Sequence, residues 1–151
     1  MSVVITPYNG EPLGIINDLI YRAKASWGYS EQQLKSWMDD LAVTATSLSQ
    51  RQFFLGQIDA KVVLVYSLAE LSATQCELED CWVDSHFHRQ GLGTALFEHA
   101  RHQMTQNGWE TMRIVSDPNA QGFYLRMGAR RVGETAGQSH GRVLPVLEWM
   151  Y

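Results

Sequence analysis

The sequence predicts an α+β fold built on a mixed β-sheet. Three features indicate it: two early segments with apolar residues at helical spacing, a strand, turn and strand near the middle, and an alternation of strand, helix, strand and helix afterwards. That alternation predicts parallel strands joined by right-handed crossovers. With 151 residues, of which 45% are hydrophobic, we expect one domain over residues 1–151 with a single core.

The N-terminal segments are predicted to be a short strand and a helix. Residues 3–5 are β-branched and precede Pro7, as in an edge strand. A helix is predicted over residues 12–26, where apolar side chains recur on one face and Gly28 follows the end.

A capping-box pair, Ser30 and Gln33, begins the second predicted helix. Its apolar residues continue at helical spacing to about Asp40. The polar stretch at residues 44–49 is predicted to be a loop.

Two stretches rich in β-branched and aromatic residues, 53–58 and 61–68, predict an antiparallel hairpin with Asp59 and Ala60 at its turn. The next strand is predicted over residues 77–84.

The second half of the chain predicts helices over residues 94–107 and 120–127, with a strand over residues 111–116 between them. A closing strand is predicted over residues 143–149. The segment before it is predicted to be a long turn because it contains Gly133, Gly137 and Gly141.

Charge and hydropathy exclude several classes of function. The formal net charge of -4 gives no basic surplus for binding nucleic acid or anionic lipid. The longest mostly apolar stretch, residues 61–71, is too short to span a bilayer, and residues 1–11 lack the features of a signal peptide. We therefore expect a cytoplasmic protein with no nucleic-acid or membrane partner.

Cys76 and Cys81 are the only cysteines in the sequence. If they lie on one strand, residues five apart face opposite sides and cannot form a disulfide bond. We expect both thiols to be reduced and structural.

The stretch from His88 to Gly93 has the composition of an anion-binding loop. Gly91 and Gly93 follow a predicted strand and precede a predicted helix, and glycines let the backbone approach a ligand. The first N–H groups of a helix lack intrahelical partners and, together with the helix dipole, favour a phosphate there. Arg89 adds a full positive charge.

Three kinds of phosphate-binding loop compete for this stretch. A nucleoside-triphosphate loop is excluded because the sequence has no Gly-Lys-Ser/Thr. A dinucleotide site is disfavoured because Leu96 occupies the position of the third glycine, and Glu110 lies at the wrong end of the next strand to reach a ribose. A glycine-containing helix start with no ligand stays open if the loop is considered alone.

The third kind of loop is indicated by a family resemblance. The sequence from Val83 to Leu96 resembles the acyl-CoA loop of the GCN5-related N-acetyltransferases (GNAT family), whose usual form is Gln/Arg-x-x-Gly-x-Gly/Ala. Gly91 and Gly93 match, whereas His88 stands where the family has Gln or Arg. The resemblance implies that backbone N–H groups bind the pyrophosphate of the cofactor.

A second motif, residues 117–129, resembles the other signature of this family, Asn-x-x-Ala-x-x-Phe/Leu-Tyr-x-x-x-Gly-Phe. The positions in register are Ala120, Phe123, Tyr124 and Gly128. Asp117 replaces the usual Asn, and Ala129 replaces the final aromatic residue. We interpret Asp117 and Pro118 as the N-cap and first turn of the helix that carries Tyr124.

The resemblance implies a mostly antiparallel sheet of six to seven strands, splayed between the fourth and fifth strands, with about four helices. It also implies acetyl-CoA in the split and transfer of the acetyl group to a primary amine. The residues expected at the cofactor are Cys81, Trp82, Val83, His88, Arg89, Gln90, Gly91, Leu92, Gly93, Thr94, Asn119 and Tyr124.

Attack of an amine on a thioester requires a proton for the leaving thiolate and a base for the amine. Tyr124 is the candidate acid, with packing as the alternative role. Glu79 is the first candidate base: alternation places it on one strand face with Glu77, and places Asp80 on the other. An ordinary surface charge is the alternative for Glu79, and the histidines beside the loop are weaker candidates. Backbone N–H groups of residues 81–83 are expected to stabilise the oxyanion.

Trp27, Tyr29 and Trp37 surround the junction of the first two helices, which in this family often rims the acceptor pocket; core packing is the alternative. His99 and His102 lie three apart on a helix, but no further ligands complete a set, so we expect no metal site.

Two other functions stay open: an acyl-CoA sensor without turnover, and transfer of a larger acyl group such as succinyl. The acceptor is also open, between small amines, amino acids, antibiotics and protein N-termini. No cysteine is placed as an acyl-carrying nucleophile, and the resemblance allows a homodimer.

Overall fold

The computed structural model describes residues 2–137 and 142–151. These residues form a seven-stranded sheet in the order β1-β2-β3-β4-β5-β7-β6. The strands are β1 (Val4–Pro7), β2 (Gln52–Ile58), β3 (Lys61–Glu70), β4 (Gln75–Val83), β5 (Thr111–Val115), β6 (Arg130–Ala136) and β7 (Val143–Met150). The helices are α1 (Leu13–Ala25), α2 (Glu31–Leu41), α3 (Ala45–Gln50), α4 (Leu92–Gln106) and α5 (Gln121–Arg126), with a 3-10 turn at Ser85–Phe87. The predicted α+β fold is confirmed, with five α-helices where about four were expected.

The sheet is antiparallel except between β4 and β5, which run parallel. Pairing between these two strands ends at Leu78 and Ile114, although β4 continues to Val83. The sheet therefore opens between its fourth and fifth strands, as the resemblance implied.

Each face of the sheet carries its own hydrophobic cluster. The larger cluster contains the buried side chains of α4 together with Tyr124 of α5. The smaller cluster packs the apolar stripe of α1, which includes Ile16, Leu19 and Ile20, against β2 and β3. The apolar face that the sequence predicts for the first helix is therefore the face that is buried. Among the described residues, no helix has the length and apolar character needed to cross a membrane.

The predicted hairpin is confirmed by β2 and β3. Asp59 and Ala60 at its turn both have positive φ angles, 49° and 66°, as a tight turn between twisted strands requires. Ser30 and Gln33 form both hydrogen bonds of the predicted capping box at the start of α2.

The prediction of a loop at residues 44–49 is wrong, because α3 occupies this stretch. Thr44 and Ser47 form a capping box: the Thr44 hydroxyl accepts from the Ser47 backbone N–H, and the Ser47 hydroxyl accepts from the Thr44 backbone N–H. The serine replaces the longer Glu or Gln of the usual pattern, which conceals the signal in the sequence.

The prediction of a long turn before the closing strand is also wrong. Gly133 lies inside β6, Gly137 follows the end of β6, and Gly141 lies outside the described residues. β6 is an edge strand paired only with β7, and most of its side chains are exposed. Such a strand shows no alternation of apolar and polar residues, so its sequence resembles a loop.

A β-bulge interrupts β4 at Asp80. Ser67 of β3 pairs with Glu79, whereas Val65 pairs with Trp82, so β4 carries one extra residue and Asp80 adopts a φ of 52°. Because of the extra residue, each β4 side chain after Asp80 lies on the opposite face of the sheet from the one that simple alternation predicts. Cys81 consequently packs against the same cluster as Cys76, so the expectation that the two cysteines face opposite sides is wrong, although both thiols are free.

Candidate functional site

A cavity of about 510 Å³ lies where β4 and β5 separate. The second half of β4, the end of β5 and side chains of α1, α2, α5 and β7 form its walls. Because pairing between β4 and β5 stops at Leu78 and Ile114, the backbone of β4 beyond Leu78 borders this cavity.

Tyr124 reaches the cavity from α5. It is 6% exposed, and its ring packs against Phe97 and Phe123. Its hydroxyl interacts with the neighbouring thiol of Cys81 on β4. Burial first, and then the neighbouring Cys81, raise the pKa of Tyr124 well above its ordinary value. The hydroxyl therefore stays protonated at neutral pH and is suited to donate a hydrogen bond into the cavity.

The β4 wall of the cavity carries three carboxylates and two guanidinium groups. Arg113 pairs with Glu77 on the neighbouring strand. Arg51 lies 2.9 Å from Asp80 and 3.4 Å from Glu79. One guanidinium reaches both carboxylates because of the bulge, so the prediction that Asp80 faces away from Glu79 is wrong.

Glu79 has the electrostatic environment of a general base. Burial raises its pKa, Arg51 opposes that increase, and the neighbouring carboxylates Glu77 and Asp80 add to it. A carboxyl group whose pKa moves toward neutrality accepts a proton more readily at neutral pH. The side chain is 37% exposed and lines the cavity, so it has access to an incoming amine or a water.

Asp117 lies at the centre of a polar network beyond the end of β5. Its carboxylate accepts hydrogen bonds from Lys24 Nζ at 2.6 Å, the Tyr29 hydroxyl at 3.0 Å and Arg142 Nη2 at 3.4 Å. The backbone N–H of Asn119 adds a fourth at 2.8 Å. Burial alone would raise the pKa of Asp117, but these hydrogen bonds, led by that of Lys24, lower it.

The interpretation of Asp117 as the N-cap of the Tyr124 helix is wrong. Ala120 holds the N-cap position of α5 and makes no side-chain capping hydrogen bond. The Asp117 side chain is instead 5% exposed and directed to the cation of Lys24. A buried ammonium offers a charged hydrogen bond, which is stronger than a hydrogen bond to a backbone N–H of α5.

Lys24 is a cavity residue that the sequence reasoning missed. It is 5% exposed, and its Nζ lies 5.2 to 5.6 Å from the ring centres of four aromatic residues, Trp27, Tyr29, Trp37 and Trp82. Burial lowers its pKa, and the Asp117 carboxylate opposes that effect. The available signal was its position four residues after Ile20, on the buried stripe of α1.

The loop before α4 presents backbone N–H groups to solvent. Arg89 and Gly91 adopt left-handed φ angles of 64° and 77°, and residues 88–91 are exposed. Gly91 is the N-cap of the 15-residue helix α4 and provides no side-chain cap. His88 turns back so that its Nε2 lies 3.1 Å from the Val83 carbonyl oxygen. A loop with left-handed residues that leads into the start of a helix is suited to an anion.

The sequence itself supplies the deciding comparison. Residues 26–145 match the family model described as an acetyltransferase (GNAT) domain. The chain belongs to the GNAT family. No curated protein sequence matches it.

Solved structures of GNAT proteins share the fold. A GCN5-related N-acetyltransferase from Rhodopseudomonas palustris superposes with a TM-score of 0.82 at 16% identity, covering 100% of this chain and 97% of its own. The PaiA N-acetyltransferase of Thermoplasma acidophilum, in complex with coenzyme A, gives 0.74 at 18% identity, covering 100% of both chains. The ribosomal-protein-S18-alanine N-acetyltransferase of Escherichia coli gives 0.73 at 18% identity, covering 99% and 94%.

In this GNAT chain, the structure divides the predicted site residues between two places. Tyr124, Glu79, Cys81, Trp82, Trp27 and Trp37 line the cavity. The loop of residues 88–94 is not part of the cavity wall, and Tyr29 lines an adjoining open depression. Asn119 is joined to Tyr29, because its Nδ2 donates a hydrogen bond to the Tyr29 hydroxyl at 2.9 Å.

His99 and His86 have partners away from the acidic β4 wall. His99 Nδ1 is hydrogen-bonded with the Tyr66 hydroxyl. His86 lies beside Asp84, a fully buried carboxylate that Arg22 neutralises at 2.8 Å. Among the described residues, no group of three or more His, Cys, Asp or Glu side chains is arranged to hold a metal ion.

Proposed function

We propose that this GNAT chain is an acetyl-CoA-dependent N-acetyltransferase that acts on a primary amine by direct attack in a ternary complex. The proposal depends most on the Tyr124 hydroxyl, which lies on the wall of the opening between β4 and β5. The coenzyme A in the Thermoplasma acidophilum structure supports the choice of donor. We extend the proposal to residues 1–151 as one transferase domain.

The loop before α4 fits a pyrophosphate. Residues 91–94 would contribute the unpartnered N–H groups of the first helical turn, and Arg89 would add a positive charge. A Cβ at Gly91 would meet no atom within 4 Å, so this glycine is required by its positive φ and not by crowding. The loop would thus hold the polar end of the donor, while the cavity would hold its acyl end.

Acetyl-CoA would supply an acetyl group activated as a thioester. Backbone N–H groups of Cys81, Trp82 and Val83, on the part of β4 that β5 leaves unpaired, would stabilise the oxyanion. The new bond joins the amine nitrogen to the acetyl carbon, and the carbon–sulfur bond breaks.

Two proton transfers complete the reaction. The amine loses one proton, for which Glu79 is the proposed acceptor, directly or through a water. The departing thiolate needs one proton, for which Tyr124 is the proposed donor. Because burial raises the pKa of Tyr124, its main contribution would be a hydrogen bond that stabilises negative charge on the sulfur.

The proposal is tested by a Tyr124→Phe protein in a thiol-release assay with a panel of amines. We expect kcat to fall by about 10- to 100-fold, the usual contribution of a hydrogen bond to a charged group. Tyr21→Phe, on α1 and outside the cavity walls described, is the matched control. A Tyr124→Phe protein that keeps its full kcat above pH 7 would contradict the role assigned to this hydroxyl.

Two alternatives predict different results in the same assay. An acyl-CoA sensor would bind acetyl-CoA tightly in calorimetry, yet no amine would stimulate thiol release. A transferase for larger acyl groups would bind a thioester such as succinyl-CoA more tightly than acetyl-CoA in a competition experiment.

A further inference from the structure

The charges around the cavity are distributed unevenly. On the β4 wall, the three carboxylates Glu77, Glu79 and Asp80 face the two guanidinium groups of Arg51 and Arg113, which leaves one negative charge in excess. An incoming ammonium group is favoured at this end.

The other end of the cavity has the opposite sign. Lys24 and Arg142 both pair with Asp117, at 2.6 and 3.4 Å, which leaves one positive charge in excess. Asp40 of α2 also lines the cavity, so the described lining residues include five carboxylates and four cations. The difference in sign between the two ends refers only to the ion pairs within each of them.

The two ends lie within reach of one small molecule. Lys24 Nζ is 5.5 Å from the ring centre of Trp82, which follows Glu79 by three residues on β4. Glu79, Lys24 and Arg142 all line the same cavity of about 510 Å³, so one small molecule has access to both ends.

Arg142 is the accessible cation at the positive end. Its side chain is 22% exposed, compared with 6% for Lys24, and it lines both the cavity and the adjoining depression. Its guanidinium carbon lies 4.4 Å from the ring centre of Trp37 and 5.2 Å from that of Tyr29, so the planar group is held against two aromatic rings.

The orientation of this guanidinium leaves donors for a ligand. Nη2 donates to the Tyr29 hydroxyl at 2.9 Å and to Asp117 at 3.4 Å. Within residues 2–137 and 142–151, Nε and Nη1 have no hydrogen-bond partner. A guanidinium held against aromatic rings, whose Nε and Nη1 pair with no described residue, offers each of these groups as a single charged hydrogen-bond donor to a carboxylate.

We propose that the acceptor is a small amine that also carries a carboxylate, with the carboxylate bound by Arg142 and the amino group directed to Glu79. This inference rests on the proposed function and names the substrate class of the same site. The adjoining depression, lined by Gln32, Gln33 and Ser36, would accept a polar remainder of the molecule.

The test compares matched amines with the full chain at saturating acetyl-CoA, by thiol release. Each set contains a free amino acid, its carboxamide and the amine that lacks the carboxyl group, and the sets cover α-amino acids and ω-amino acids up to 6-aminohexanoate. We expect the free acid to have a kcat/KM at least about tenfold higher than both analogues in one or more sets, because a hydrogen bond to a charged group contributes about that much.

Arg142→Gln should raise the KM for the preferred acid by about 10- to 100-fold and leave the KM values of the two analogues unchanged. The matched control is Arg130→Gln, which removes an exposed guanidinium on β6. It should leave the KM values of the acid and of both analogues unchanged. The KM for acetyl-CoA shows whether a variant keeps its fold. The comparison of amines on the unaltered chain decides the proposal even if Arg142→Gln does not fold.

Carboxamides or simple amines that match or exceed every free acid would overturn this inference and leave the acetyltransferase proposal intact. A rise in KM for all amines alike in Arg142→Gln would also overturn it, since a role in folding alone predicts that result. If no amine of any class releases thiol, the proposed function itself fails, and the inference fails with it.

Discussion

Gly93 of the loop and Phe123 of α5 are in direct contact. A Cβ built on Gly93 would lie 3.1 Å from Cε1 of the Phe123 ring, closer than carbon atoms normally approach. The ring of Phe123 in turn packs at a steep angle against that of Tyr124, with centres 5.3 Å apart. The two sequence motifs are therefore coupled by packing, and Gly93 is required by its neighbour, in contrast to Gly91.

We predict that Gly93→Ala displaces Phe123 and shifts the Tyr124 hydroxyl. A displacement of about 1 Å at a catalytic group costs about 10²-fold in rate, and the Phe123 ring needs to give by only a few tenths of an ångström, so kcat should fall by about three- to tenfold. Steady-state kinetics measure the effect. Gly14→Ala, where a Cβ meets no atom within 4 Å in the first turn of α1, is the control and should keep full activity. Unchanged kcat in Gly93→Ala would show that the contact relaxes without moving Tyr124.

We predict that Cys81→Ala keeps most of the activity. Burial raises the pKa of Cys81 to about 11, although the neighbouring Tyr124 hydroxyl opposes this, so only about one thiol in 10⁴ is ionised at pH 7. A covalent acyl carrier needs the thiolate. We expect kcat to remain within about fivefold of the unaltered chain, because only a polar neighbour of Tyr124 is lost.

Mass spectrometry after mixing with acetyl-CoA alone provides a second measurement for Cys81. Direct transfer predicts no added acetyl mass on the protein in the absence of an amine. A stable thioester on Cys81, together with loss of turnover in Cys81→Ala, would require a two-step mechanism in place of the ternary complex. Cys76→Ala, at a fully buried thiol in the same cluster, separates packing effects from chemical ones.

The faces of the sheet on which the β4 side chains lie show where prediction from the sequence is accurate and where it fails. Alternation correctly predicts the faces of Cys76, Glu77 and Glu79, which precede the bulge. It fails from Asp80 onward, because an extra residue with positive φ carries no signature when that residue is an aspartate. The bulge is held by tertiary contacts, in which Asp80 accepts hydrogen bonds from Ser67 and Arg51. A single strand considered alone does not contain that information.

We predict that Glu79→Gln removes the acidic limb of the pH profile of kcat/KM. The base must be ionised, so the rate rises as the pH rises through the pKa of Glu79, which burial places above that of an ordinary glutamate. The kcat of the variant should be about 10²- to 10⁴-fold lower near pH 7. Below pH 7, its kcat/KM should change less with pH than that of the unaltered chain. Glu98→Gln, at an exposed position on α4, is the control and should retain the limb. If the limb persists in Glu79→Gln, the base is another group or a water.

The network around Asp117 shows a second limit of sequence reasoning. The aromatic residues Trp27, Tyr29 and Trp37 were predicted to lie near an acceptor pocket, and they do cluster, but around Lys24. Lys24 in turn pairs with Asp117, which lies 93 positions away in the sequence. Local reasoning gave Asp117 a capping role because the adjacent Pro118 suits a first turn. A buried ion pair between distant segments overrides such a local preference.

We predict that Asp117→Asn destabilises the fold by about 3–5 kcal/mol at pH 7, because it leaves the Lys24 ammonium in the interior without a carboxylate. Urea unfolding measures the difference. Asp18→Asn, at an exposed position on α1, should change stability by less than about 0.5 kcal/mol.

The pH dependence of this destabilisation has a definite sign. The folded chain lowers the pKa of Asp117, so the stabilisation is complete above the unfolded pKa of about 3.9 and disappears as the pH falls through the folded value. The difference between the original chain and Asp117→Asn should therefore be constant from pH 7 to about pH 5 and shrink below about pH 4. A difference that keeps its full size in strong acid would mean that Asp117 acts through packing and hydrogen bonding, and not through its charge.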